Sequence, residues 1–320
     1  MDACMDTRLV FVHALSPLHA GTGQGIGIID LPIAREKATG IPFLPGSSLK
    51  GSLRDLCQDS DLNKEKIFGP PPDKNPEEHS GAAQFSDQRL LLLPIRSLVG
   101  TFAWATSPYI LQRFVREAKL AGINDLPQIP KPLKETGCVI TKTCCLEYPN
   151  PKKIFLEDLD LDPSDKQEDK TKATCWADWL APRLFPEEPD WQAMLKERFC
   201  IVHDDLLSFL LETATEVSAR IVLRDDTKTA DNLWYEETLP VETVLSGLIL
   251  AKPPLIFTKD SLPQNDRLTA NDIFDALKGL ITRAVAVQLG GKATVGHGLC
   301  TIKMVNPLAN VKVGECNVNT

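Results

Sequence analysis

The chain is expected to adopt an α+β fold, a largely antiparallel sheet backed by helices and interrupted by insertions. Three observations lead there. Short runs with strand character alternate with longer runs of helical period. Two of the strand runs flank a single polar turn, the pattern of an antiparallel hairpin and not of a βαβ crossover. No self-similarity of fixed period runs through the 320 residues, which argues against a solenoid.

Leu9 to Leu15 (LVFVHAL), closed by Ser16-Pro17, is a buried first strand, with His13 a core histidine. A glycine-spaced loop follows. From Gly46 to Cys57, residues Leu49, Leu53, Leu56 and Cys57 fall at i, i+4, i+7 and i+8, one face of a helix whose start is marked by Ser47 and Ser48. Lys50 and Arg54 are i, i+4 neighbours on an adjoining face. Phe68 to Ser80 is a proline-rich surface loop, Gln84 to Pro94 a strand, and Pro108 to Ala121 a second helix. Asn124 to Asp190, rich in proline and acid and containing Trp176 and Trp179, reads as an irregular insertion.

Asp204 is placed to cap a helix carrying Leu207, Leu210, Leu211 and Ala214. Ser218 to Leu223 and Leu233 to Leu239 flank the polar turn Arg224 to Asn232, a candidate hairpin. Thr269 with Asp272 starts a helix running to about Leu289, with Ile273, Leu277, Leu280, Ile281 and Ala284 as its buried stripe and Gly290-Gly291 at its end. A ferredoxin-like or RRM-like core with insertions accommodates these elements best. We expect one domain over 1–320, its core about 8–100 and 200–305, with an inserted subdomain about 101–199.

The apolar fraction of 43% and charged fraction of 24% are those of an ordinary globular protein, so disorder is not expected to dominate. Thirty-five Lys and Arg against 43 Asp and Glu give a net charge of −8, which argues against a protein that coats nucleic acid indiscriminately. The acids segregate into Glu157 to Asp169 and Pro186 to Asp190, whereas Arg35 to Arg54 holds Arg35, Lys37, Lys50 and Arg54 against Glu36. Nine cysteines, without a CxxC, suit a reducing cytoplasm, and the pair Cys200 with His203 has no second ligand pair at zinc spacing. The N-terminus lacks a signal-peptide pattern, and the apolar stretch Val244 to Phe257 is broken by Lys252-Pro253-Pro254, so neither secretion nor a membrane span is expected.

Three segments carry chemistry. The series Gly21, Gly23, Gly25, Gly27 lacks the dinucleotide fingerprint, since position six from Gly21 is Ile26 and Asp30-Leu31-Pro32 does not start a helix. It leaves a loop for close backbone approach to a ligand, or a structural turn. The segment Gly290 to Gly298 (GGKATVGHG) lacks Walker order but offers amides at Gly290, Gly291 and Gly296 beside Lys292, a candidate phosphate cradle. At Gly46 to Lys50 a helix N-terminus, two hydroxyls and a lysine converge, which suits an RNA phosphate; helix capping is the alternative use of the serines. Asp30, between Ile28-Ile29 and Leu31-Pro32, is expected on a rigid, dry rim, with His19 and the Glu236-Glu237 pair as candidate partners for acid-base or metal work.

Taken together, HAGTG at His19 to Gly23, GIIDLPI at Gly27 to Ile33, RE at Arg35-Glu36, TGIP at Thr39 to Pro42 and GSSLKGSLR at Gly46 to Arg54 resemble a known family. So do ARI at Ala219 to Ile221, LWYEETLP at Leu233 to Pro240 and the GGKATVGHG segment. The family is the RAMP superfamily of CRISPR proteins, and most closely the repeated backbone subunit of the type III-B effector, the Cmr complex. The resemblance implies a modified RRM-like palm with inserted subdomains and a β-hairpin thumb, stacked as copies of itself into a filament along a CRISPR guide RNA with other Cmr subunits. It implies a metal-dependent endoribonuclease that cuts single-stranded target RNA paired to the guide, with Asp30 at the catalytic position, His19 in the same region and Glu236 in an acidic motif.

The expected RNA-binding residues are Arg35, Ser47, Ser48, Lys50, Arg54, Gly290, Gly291, Lys292 and Gly296. The expected cofactor is a divalent metal ion, magnesium by preference, held loosely at Asp30, because one carboxylate is a poor ligand set for a resident ion. Thr238 departs from the family's aromatic at that position. A noncatalytic guide-binding scaffold, the type III-A counterpart and a stand-alone guide-precursor endonuclease are the competing readings.

Overall fold

The computed structural model describes residues 6–22, 29–58, 64–70, 80–132, 134–224, 226–252 and 268–305. The expectations for Gly23, Gly25 and Gly27, and for 71–79 of the proline-rich loop, lie outside these residues. The first half runs β1 (Asp6–Ala14), β2 (Phe43–Leu44), α1 (Gly46–Leu56), α2 (Lys64–Phe68), β3 (Ala83–Phe85), β4 (Gln88–Arg96), β5 (Phe102–Thr106) and α3 (Pro108–Leu120). The middle follows as β6 (Gly137–Ile140), β7 (Tyr148–Pro149), β8 (Lys152–Leu156), β9 (Leu159–Pro163), α4 (Gln167–Leu184), α5 (Pro189–Arg198) and β10 (Phe199–Val202). The last part comprises α6 (Asp204–Thr213), β11 (Glu216–Leu223), β12 (Ala230–Thr238), β13 (Val244–Ala251), α7 (Ala270–Ala284), β14 (Val287–Gln288) and β15 (Leu299–Val305).

Among the described residues thirteen strands form one mixed sheet, in the order β14-β15-β1-β13-β4-β5-β10-β6-β9-β8-β7, with β2 beside β4 and β3 beside β13. Its centre, β15-β1-β13-β4, is antiparallel throughout. With α1 between β1 and β4 and α7 between β13 and β15, that order is the ferredoxin-like core expected from the sequence. β11 and β12 form a separate hairpin.

β1 explains why its sequence is apolar at nearly every position. Phe11 stacks on Phe114 of α3 at 5.8 Å, while Arg8, an odd number of residues away, lies 4.4 Å over Phe274 of α7. Residues an odd number apart on a strand face opposite ways, so helices cover both sides of the sheet here. His13 is buried as expected, 2.6 Å from Glu242 and edge-on to Phe185.

Three local expectations are corrected. The span Asn124 to Asp190 is not irregular: it contributes four strands and α4. Trp176 and Trp179 are fully buried against Phe114. α4 buries residues around most of its circumference, from Ala173 and Cys175 through Ala181 and Leu184, so no single stripe betrays it in the sequence. The last helix stops at Ala284 and not near Leu289, because Val285 adopts φ 56°, ψ −51° and the Ala286 amide donates to the Ala284 carbonyl, a γ-turn that reverses the chain into β14. α6 is capped by His203, whose ring accepts from the Asp205 amide, and Asp204 instead accepts from the Tyr109 amide at the start of α3.

Candidate functional site

The loop leaving β1 is stitched to two other parts of the chain. Leu18 bridges Leu239 just past β12, His19 bridges Gly291, and Leu31 pairs in parallel with Glu236. The first strand's exit, the hairpin base and the glycine-rich segment before β15 thereby meet in one place. Beside them lies an open cleft of about 570 Å³. His19, Gly21, Leu31, Ser47, Ser48 and the Gly290–Lys292 loop line it, as do Ser52 and Asp55 of α1.

His19 is buried, and its Nδ1 lies 2.8 Å from the Glu237 carbonyl. A carbonyl only accepts, so Nδ1 carries a proton, and Nε2 is left on the far side of the ring, beside Gly21. The glycines around it are required by space. A Cβ on Gly21 would lie 2.5 Å from His19 Nε2, and one on Gly290, at φ +70°, would lie 2.3 Å from the His19 carbonyl oxygen.

The adjacent glutamates of β12 face opposite ways and do different things. Glu236 Oε1 accepts from Lys292 Nζ at 2.7 Å and from Trp234 Nε1 at 2.6 Å, and Oε2 accepts from Arg220 Nε at 3.3 Å. Burial pushes this carboxyl up, but the bonds from Lys292 and Trp234 and the nearby positive charges outweigh it and hold the pKa below the ordinary value. Glu237 accepts from Arg35 Nη2, from Thr215 Oγ1 at 2.9 Å and from the Ile33 amide at 3.1 Å. Its own amide donates to the Leu31 carbonyl. One buried residue thus fixes His19, Leu31, Ile33 and Arg35.

Asp30 opens the segment that Glu237 holds. Its Oδ2 accepts from the Tyr235 amide at 2.8 Å, and the residue is exposed, not on a dry rim. Ile33 is buried, but Leu31 and Pro32 are only half-buried and line the cleft, so no apolar wall closes over the carboxylate there. Among the described residues no group of three or more His, Cys, Asp or Glu is placed to hold a metal ion. The donor set at Asp30 therefore does not fit a resident metal.

Residues 11–301 match the family model described as the RAMP superfamily. The chain belongs to the RAMP superfamily. A protein of Pyrococcus furiosus called "CRISPR system Cmr endoribonuclease Cmr4" is 34% identical over 311 residues, covering 94% of this chain and 96% of that protein. A solved structure titled "Crystal structure of oligomeric Cmr4 from Pyrococcus furiosus" superposes with a TM-score of 0.68 at 26% identity, over 94% of this chain and 99% of the other. A chain of the "Type III-B Cmr-beta bound to cognate target RNA" shares the fold, with a TM-score of 0.65 at 17% identity over 93% and 96% of the two chains.

Of the residues expected to bind RNA in this RAMP chain, Ser47, Ser48, Gly290, Gly291 and Lys292 line the cleft. Neither serine caps α1, whose cap position is Pro45 and whose Gly46 amide donates to Asp87. Gly296 lies at the end of a 3-10 turn, Ala293–Val295, with φ +82° and open space where a Cβ would lie. Arg35 and Arg54 are not among the cleft-lining residues and make internal bonds: Arg35 to Glu237 and the Leu211 and Gly40 carbonyls, and Arg54 to the Gly69 and Pro70 carbonyls. Lys50 sits on the flank of α1 away from the cleft-lining face, and burial and Arg54 together lower its pKa.

Three residues of this RAMP chain's site, Arg220, Trp234 and His297, carry no functional signal of their own in the sequence motifs that contain them. The hairpin register gives the signal that was missing: Arg220 pairs with Trp234, which puts both on the Glu236 side of the ribbon.

Proposed function

We propose that this chain is a backbone subunit of a type III-B CRISPR effector, assembling head to tail with copies of itself along a guide RNA and cutting the complementary target RNA at regular intervals beside Asp30. The observation that carries the reading is the cleft itself. A histidine whose Nε2 has no hydrogen-bond partner among the described residues, two serines at a helix start and a glycine-rich loop bearing Lys292 converge there, next to the segment that presents Asp30. The names of the relatives add an endoribonuclease and a target-RNA complex to that chemistry.

RNA cleavage can use the neighbouring 2′-hydroxyl as nucleophile, so the protein's task is to splay the backbone into line and stabilise charge. The hairpin of β11 and β12 is the element suited to splaying. Asp30 has its Oδ2 fixed by the Tyr235 amide, and its Oδ1 has no partner among the described residues, leaving it free for the substrate. His19 offers Nε2 at the cleft wall. A divalent ion, magnesium by preference, enters this proposal only as one recruited together with the RNA, supplying charge neutralisation.

The test is cleavage of labelled, guide-complementary RNA by the reconstituted assembly with magnesium, wild type against Asp30→Ala. We expect evenly spaced cuts that vanish in the variant while guide binding persists. Cuts that survive the substitution would leave the chain a guide-binding scaffold and move the chemistry elsewhere.

A further inference from the structure

We infer that Arg220 and Lys292 form a two-cation seat for one phosphate of the target RNA, with Glu236 as the internal counter-ion that spaces and aims them and not as an acid or metal ligand in the cleavage step. The inference rests on the RNA-cutting role proposed above and adds the groups that meet the phosphate's charge.

The two cations come from different parts of the chain, Arg220 from β11 and Lys292 from the loop before β15, and are drawn together by opposite oxygens of one buried carboxylate. Both oxygens of Glu236 are occupied: Oε1 carries Lys292 and the Trp234 indole, and Oε2 carries Arg220. A carboxylate so engaged has little left to offer a metal or a proton in flight. The cations, by contrast, keep donors in reserve. Lysine has three and arginine five. Lys292 spends one on Glu236, and Arg220 spends one on Glu236 and one on His297 Nε2 at 3.1 Å, with no further acceptor for either among the described residues. Their side chains remain 32% and 36% exposed, whereas Glu236 is 3% exposed, so the solvent-facing side of the cluster is positive.

Two further details fit a seat built for an anion. Arg220 donates to His297, so that ring accepts through Nε2 and stays neutral; burial and the adjacent guanidinium lower its pKa. Lys292 holds φ +68°, a left-handed conformation unfavourable for a non-glycine residue, and its ammonium lies 5.9 Å over the Trp234 ring. The seat is also in the right place. Lys292 lines the cleft, and Glu236 follows Tyr235, whose amide holds Asp30. A phosphate resting there would belong to the strand passing Asp30, which in this reading is the target.

The experiment uses the guide-loaded assembly carrying Arg220→Gln, Lys292→Gln, the double variant or Glu236→Gln, each checked for assembly and guide retention. Target affinity is measured against salt concentration in an Asp30→Ala background, and single-turnover cleavage in the active background. We expect each single cation variant to slow cleavage about a hundredfold. Each should also lower the salt slope by roughly one, with the double variant losing no more, since one phosphate is shared. Glu236→Gln should bind target more tightly with a steeper slope, because removing the counter-ion frees positive charge. The seat is overturned by wild-type cleavage in both cation variants, by a double variant losing two phosphates' worth of slope, or by loss of guide and not of target. It is equally overturned if Glu236→Gln abolishes cleavage without tightening binding. Because the slopes are read without cleavage, an assembly that never cuts would sink the nuclease reading yet leave the phosphate contact measured.

Discussion

At the scale of single residues, the site is built by close approach around His19. Gly290 is held at φ +70° with the His19 carbonyl oxygen where its side chain would go, and a backbone atom cannot swing aside. Gly296 shares the left-handed conformation, at φ +82°, but faces open space. Gly290→Ala should therefore lower stability by about 3 kcal/mol and Gly296→Ala by about 1 kcal/mol, read as urea midpoints at unchanged slope. Equal effects would mean that the contact with His19 relaxes freely. The motif positions of Asp30, His19, Ser47 and Lys292 were legible in the sequence because small, polar and glycine residues cluster there without periodicity. What each charge does was not. Arg35 and Lys292 look alike on paper, yet Arg35 is consumed by Glu237 and two carbonyls, while Lys292 keeps donors toward the cleft.

At the scale of elements, legibility followed the contrast between faces. α7 shows both a stripe and its start: Thr269 and Asp272 form a complete capping box, each accepting from the other's amide. Thr269→Ala removes one half of it and should cost about 1 kcal/mol in thermal or chemical denaturation, an effect absent if the helix were held by packing alone. The helix's end was misplaced because Val287 and Leu289 are also buried, as strand and loop residues, and so prolong the apolar spacing past the γ-turn at Val285. α4 failed for the opposite reason. Buried around most of its circumference and carrying Pro182, it shows no amphipathic contrast, so its tryptophans read as part of an irregular insertion. The hairpin is present: its first strand ends at Leu223 as expected but starts earlier, at Glu216, and its second reaches into the expected turn, starting at Ala230.

At the scale of the whole molecule, charge is arranged against the net value of −8. Glu36 is shared by Arg89 and Arg113, Glu237 takes Arg35, and Glu236 takes two cations, so much of the basic content near the cleft is balanced internally. These pairs give the stability a pH dependence of known sign. Burial raises Glu236 and Glu36, but their cationic partners prevail, leaving both below the ordinary 4.5. The stability they contribute is present above 4.5 and is lost as pH falls through their lowered values. Glu117, raised chiefly by burial, works the other way: its contribution is present below 4.5 and fades as pH rises through its raised value. Denaturation series carried from neutrality to below 4.5 should show wild type losing stability with acid, and Glu236→Gln losing less of it. An identical acid slope in the variant would mean that Glu236 is not ion-paired in solution.

The sequence by itself determined the α+β class, the core strands, the two helices with clear stripes, the hairpin and the family, because these follow from periodicity and from short ordered motifs along the chain. Only the tertiary structure decided which of the charges in these motifs are spent inside the protein and which face the cleft. Charge belongs to a residue, but its availability belongs to whatever the fold brings within hydrogen-bonding reach, and such a partner can lie 202 residues away, as Glu237 does from Arg35.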